Sequence, residues 1–172
     1  MQKVATDDVA NVPHLMGVNS TRSPVSRAID DMDFAMVLFE LDPGESFSGA
    51  PHKHLNQEEL FYVLEGTATW ETKPEAGADP QYVEVGPNEL IHFQEDDVFQ
   101  TGRNESDDLV KAVTVGSPGA RHVWEQSLGL ADCPDCGAET VHTFVPDDDA
   151  ADVRMPTPEE MAISCRECGN TL

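Results

Sequence analysis

Basic residues are scarce in this chain. Lysine and arginine number 10 among 172 residues, against 33 aspartates and glutamates, for a formal net charge of −23. Only Lys3, Lys53, Lys73 and Lys111 are lysines. A surface this acidic repels phosphates, so nucleic acid and anionic membranes are excluded as partners. No apolar run approaches the roughly 18 to 20 residues that cross a bilayer. Residues 1–10 have no apolar signal core and carry Asp7 and Asp8, so a soluble, cytoplasmic protein is expected. Repeats at solenoid periods are absent, and so is any convincing helical periodicity.

What is present is acid spread along the whole chain, in short clusters at residues 7–8, 30–31, 96–97, 107–108 and 147–149. A single acidic tail would suggest an interaction segment. Acid distributed over a surface suggests adaptation to concentrated salt, where counterions screen self-repulsion, and so a halophilic archaeon. The apolar residues, meanwhile, gather into short runs. Residues 34–41, 60–64, 67–72, 81–85, 90–93, 98–101 and 109–115 read as strands. Turn signals separate them: Pro43-Gly44, Glu65-Gly66, Gly86-Pro87-Asn88 and Gly102 with Asn104. The pattern predicts an all-β sandwich or barrel. It further predicts an N-terminal arm (1–29) with a short edge strand near 11–12, a barrel (30–118) and a linker (119–131) with a helical turn near 124–128.

Two cysteine pairs follow, Cys133-Pro-Asp-Cys136-Gly and Cys165-Arg-Glu-Cys168-Gly. Two thiolates separated by two residues can face one ion from a tight turn, and the glycine lets the backbone curl behind them. Four sulfurs leave no open position, the mark of a structural zinc site. In a reducing cytosol this arrangement suits metal better than disulfides. Residues 132–172 resemble a zinc ribbon, with strands expected at 139–145 and 160–164 around an acidic loop at 147–158. A segment this short buries too little to fold unaided, so the metal would supply its folding energy.

The second constellation is His52-Lys-His54 followed by Glu59. On an extended segment the two imidazoles point to one side. Glu59, opening the next strand, can point back to the same interior. Two imidazoles and a carboxylate suit divalent iron, manganese, nickel or zinc and leave positions free for water or substrate. The alternative is a pair of histidines at a barrel mouth, hydrogen-bonded to carboxylates.

The stretch from Pro43-Gly44 through His52, His54 and Glu59 to Gly66 resembles the first motif of the cupins. The spacing from His52 to Gly66 matches, while Gly44 lies two residues further from His52 than the usual glycine. A degraded second motif runs from Gly86 to Asn104. The family's third metal histidine falls at Gln100 in this chain, and Glu95 and Asp97 stand near the places of the motif's proline and glycine. The resemblance implies a single cupin β-barrel of jelly-roll type, often dimeric, over residues 30 to 118, followed by the small zinc ribbon. Gln100 then serves as a weak fourth ligand, orients water or substrate, or marks a site that has lost its metal. His92 reads as a core or edge residue, and His14 and His122 as unrelated to the site.

Three functions follow as expectations. The first is a metal-binding cupin that takes a small molecule in the barrel. The second is a mononuclear metalloenzyme of dioxygenase or isomerase type. The third is a regulatory or assembly protein that docks a protein partner through the ribbon. The two apolar faces of residues 60–64 need cover from the arm or from a second subunit, and a homodimer is expected.

Overall fold

The computed structural model describes residues 1–121, 123–146, 156 and 158–172. Strands dominate it: β1 (Thr21–Pro24), β2 (Ala35–Leu41), β3 (His52–His54), β4 (Glu58–Glu65), β5 (Ala68–Lys73), β6 (Gln81–Val85), β7 (Leu90–Phe93), β8 (Phe99–Arg103), β9 (Val110–Ser117), β10 (Ser127–Cys133), β11 (Ala138–Pro146) and β12 (Met161–Cys165). Helix is confined, among the described residues, to three-residue 3-10 turns such as Trp124–Gln126. None of these is long and apolar enough to cross a membrane.

The strands form two antiparallel sheets. One has the order β1-β2-β9-β4-β7, the other β12-β11-β10-β3-β8-β5-β6. The pairing follows the alternation of side chains. Along β9 every second residue from Val110 to Gly116 is buried, and along β4 Phe61 and Val63 are buried. These inward faces meet Leu41, Phe47 and Trp70 in one core between the sheets. Phe47 stacks on Trp70 at 5.2 Å between ring centroids and meets Phe39 and Phe61 edge-on. Each such ring contributes about 1.5–3 kcal/mol through burial. Gly102 is required by this packing, because a Cβ there would lie 2.6 Å from Trp70 Cε2.

The turns follow the residues that permit them. Gly66 adopts φ +74°, and a side chain there would strike the Leu109 carbonyl. Asn104 is buried and closes the loop before β9: its Nδ2 donates to the carbonyls of Leu41 and Asp108, and its Oδ1 accepts from Ser106. The edge strand of the arm lies at Thr21–Pro24, pairing with β2, rather than near residues 11–12. Residues 11 and 12 instead brace that strand, the Val12 N–H donating to the Arg22 carbonyl and the Arg22 N–H to Asn11 Oδ1.

After the 3-10 turn at Trp124–Gln126, the stretch read as linker contains strand β10. Its first residues pair with β3, placing Ser127 opposite His54 and Gly129 opposite His52. From Leu128 to Cys133 it pairs with β11, which pairs with β12. The four-cysteine segment is thus continuous with a barrel sheet. Most of the acidic loop expected at 147–158, and His122, lie outside the described residues.

Candidate metal centres and the barrel cavity

His52 and His54 sit on β3 two residues apart, and their rings stand 5.1 Å apart between centroids on one face of the strand. Glu59 alternates inward on β4 with Phe61 and Val63, paired opposite Gly116 on one side and Phe93 on the other. Its Oε2 lies 3.9 Å from His52 Nε2 and 3.8 Å from His54 Nε2. One donor atom from each of the three residues falls within 4.8 Å of the others. The expected trio therefore converges, and its types suit a divalent cation.

Gln100 enters from β8, paired in register with His52. Its Nε2 donates to Glu59 Oε2 at 3.1 Å and lies 3.4 Å from His52 Nε2. Its Oε1 is buried and has no hydrogen-bond partner among the described residues. Turning this amide over would aim the orphaned oxygen at the converging donors, where it would oppose the Glu59 carboxylate unless a cation lay between them. The structure thus brings Gln100 to the trio through its amide nitrogen, with Oε1 on the other side of the amide.

Two supports were invisible in the sequence. Ser127 Oγ lies 3.0 Å from His54 Nδ1 and donates onward to the Val123 carbonyl. The hydroxyl therefore holds the far nitrogen of the ring while Nε2 faces the other donors. His52 Nδ1 is held in the same way by the Ala50 carbonyl at 3.2 Å. Each ring thus presents Nε2 inward.

Enclosure shapes the charge states. Burial pushes the Glu59 carboxyl up to about 7, with Arg22 pulling the other way. Burial lowers His52, against the Ala50 hydrogen bond, which favours the charged ring. The side chains of His52 and Glu59 keep 19% and 18% exposure, and both face a cavity. That cavity has a volume of about 390 Å³, large enough for a small molecule, and is lined by His52, His54, Glu59, Phe47, Arg22 and Trp124 among others. His14, expected to be unrelated, also lines it, with its pKa lowered to about 4 by burial and then by Arg22 and His52. His92 lies away on the edge strand β7, 2.9 Å from Glu58.

The cysteines form a second cluster. All four are free thiols, and their sulfurs lie within 4.8 Å of one another. Cys133 Sγ to Cys168 Sγ is 3.6 Å and Cys136 Sγ to Cys165 Sγ is 3.9 Å. Tetrahedral zinc with sulfurs at about 2.3 Å implies edges of about 3.8 Å, so the cluster fits that ion. Gly137 and Gly169 turn the two knuckles at φ +67° and +77°, returning their N–H groups to the carbonyls of Cys133 and Cys165. Without an ion the thiols share protons unequally: a hydrogen bond with Thr140 lowers Cys165, while hydrogen bonds from Cys168 and Cys133 raise Cys136.

Residues 37–116 match the family model described as Cupin domain, Cupin_2. The chain has the cupin fold. The matched residues contain all four barrel candidates, while the cysteines lie beyond them. Among solved structures, a sugar phosphate isomerase of the cupin superfamily from Silicibacter pomeroyi is similar at TM-score 0.62 and 14% identity, covering 98% of this chain and 95% of that one. A protein named TT1209 from Thermus thermophilus is similar at TM-score 0.51 and 18% identity, covering 69% of this chain and 98% of that one. These likenesses establish the fold. No curated protein matches the sequence.

Proposed function

We propose that this is a metal-binding cupin-domain protein that takes a small molecule into its barrel cavity, with one structural zinc ion held by Cys133, Cys136, Cys165 and Cys168. The observation that carries the reading is the convergence of His52, His54 and Glu59 on the wall of a cavity of about 390 Å³. Gln100 serves as a weak fourth ligand once its amide is turned over to present Oε1 to the ion. Divalent iron, manganese, nickel or zinc bound there would supply a Lewis acid facing the cavity. The chain's own residues fix the donors: Ser127 and the Ala50 carbonyl orient the two rings.

Elemental analysis of purified protein tests this. The expected count is one zinc and one further divalent metal per chain. The variant His54→Ala should lose the second metal and keep the zinc. One zinc and nothing else in the parent protein would overturn the barrel reading.

A second reading makes the same centre an enzyme, of isomerase or dioxygenase type. It is favoured by the cavity opening directly on the donors, which leaves room for a reactant beside them. Turnover and oxygen uptake on panels of sugar phosphates and of phenolic and thiol substrates test it. We also propose a homodimer in a high-salt cytoplasm. The exposed Tyr82, Val83 and Leu90 on edge strands β6 and β7 support the dimer, and the charge of −23 supports the salt requirement. Light scattering across potassium chloride concentrations measures both.

A further inference from the structure

The chain has six arginines, and three of them, Arg22, Arg27 and Arg121, line the barrel cavity. In a protein of net charge −23 this is a concentration of the rarer sign at a cavity that also holds the candidate metal donors. Arg22 is the decisive member. It projects from β1 opposite Phe39 and is only 9% exposed. Its guanidinium makes one long hydrogen bond, Nη1 to the Val12 carbonyl at 3.3 Å, and lies 5.9 Å from the centroid of the Phe39 ring. No carboxylate of the described residues lies within ion-pair distance of it. A buried guanidinium has five donors and a charge that is costly to leave without a counterion.

Among the described residues no acid contacts it directly. Burial and then the charge of Arg27 lower the Arg22 pKa to about 10, and burial and then Arg121 lower that of Arg27. The guanidiniums are thus near enough to repel one another. Glu59 is the acid that favours the Arg22 charge, and a metal bound there would draw on the same carboxylate. The fork of a guanidinium matches the paired oxygens of a carboxylate or phosphate.

Building on the proposal that the cavity takes a small molecule, we propose that this molecule is an anion, a carboxylate or phosphate, gripped by Arg22 beside the His52–His54–Glu59 donors. The exposed Arg27 and Arg121 form the outer part of the same anionic path.

Calorimetric titration at one fixed potassium chloride concentration tests this with three probes: malonate, inorganic phosphate and malonamide, the uncharged counterpart of malonate. Each is titrated into metal-loaded and metal-stripped wild type, Arg22→Met, Arg22→Lys and Arg27→Gln. Malonate or phosphate should bind the wild type, and the tighter of the two names the headgroup. Malonamide should not bind. Arg22→Met should weaken anion binding about ten- to a hundredfold, with or without metal, Arg22→Lys less, and the exposed Arg27→Gln least. Circular dichroism and an unchanged metal count identify variants that keep the fold. Equal binding of malonate to folded Arg22→Met and wild type would overturn the proposal. So would equal binding of malonamide, or no binding of either anion to the wild type at millimolar concentration. The metal count separates the two proposals: Arg22-dependent anion binding without a barrel metal sinks only the metal reading, while a barrel metal with Arg22-indifferent binding sinks only this one.

Discussion

The barrel centre and the cysteine cluster differ in what surrounds their donors. The four sulfurs lie within 4.8 Å of one another and can fill all four positions of a tetrahedral ion, leaving none for a further ligand. The barrel donors occupy one wall of a cavity. The first arrangement suits an ion that holds a chain together. The second suits an ion that meets something else. The contrast also extends to how each is built. The cysteine knuckles are local, each made within a few residues and turned by its own glycine. The barrel centre is assembled from β3, β4 and β8 and is braced from β10.

The sharpest break in this contrast should come from Cys165→Ser. Loss of a sulfur should release the zinc, whose apparent binding energy in small domains is about 10–16 kcal/mol, and expose residues 131–172 to protease. Limited proteolysis with and without a chelator measures it, and survival of the segment would show that zinc does not hold it. Next in size is Ser127→Ala. Removing the hydroxyl at His54 Nδ1 should weaken the barrel metal about ten- to a hundredfold and leave zinc in place. Competition with a chromogenic chelator reads the change.

The pH dependence of metal loading should be comparable or smaller. Glu59 titrates at about 7 in the metal-free barrel and must lose its proton to bind a cation. Affinity should therefore rise about tenfold between roughly pH 6 and pH 8, with proton release on loading. The stability of the metal-free protein runs the other way. The folded carboxyl, raised from 4.5 to about 7, holds a proton that the unfolded chain has lost, so stability falls as pH climbs through that window. Thermal melts of stripped protein across that range check the sign. The smallest effect belongs to the contact between the β5–β6 hairpin and β11. Lys73 Nζ meets both Glu139 oxygens at 2.8 Å, and Gly77 N–H adds a bond at 2.9 Å. Glu139→Gln should cost about 0.2–1 kcal/mol in urea unfolding, less in high salt.

Much of this was readable beforehand because it depends on short-range pattern. The bounds of β6 and β7 coincide with the apolar runs at 81–85 and 90–93, since turn residues fence both. His52, His54 and Glu59 were findable because strand alternation fixes their faces. β10 was not readable as a strand. Gly129 sits at its middle and weakens any β preference, yet the fold needs it, because a Cβ there would lie 2.5 Å from Phe144 Cζ. Arg22 and His14 were hidden for a related reason. They belong to an arm without periodicity; pairing with β2 carries Arg22 to the cavity, and His14, whose N–H donates to Asn19 Oδ1, lines the same cavity.

Strand β10 starts alongside the imidazole-bearing strand and finishes on a thiol. A shortened chain stopping before Ser127 would therefore not yield a free-standing barrel. It would strip one long side of β3 of its neighbour and leave a rim of unpaired amides ready to adhere to other copies. Anyone trimming this protein should cut elsewhere.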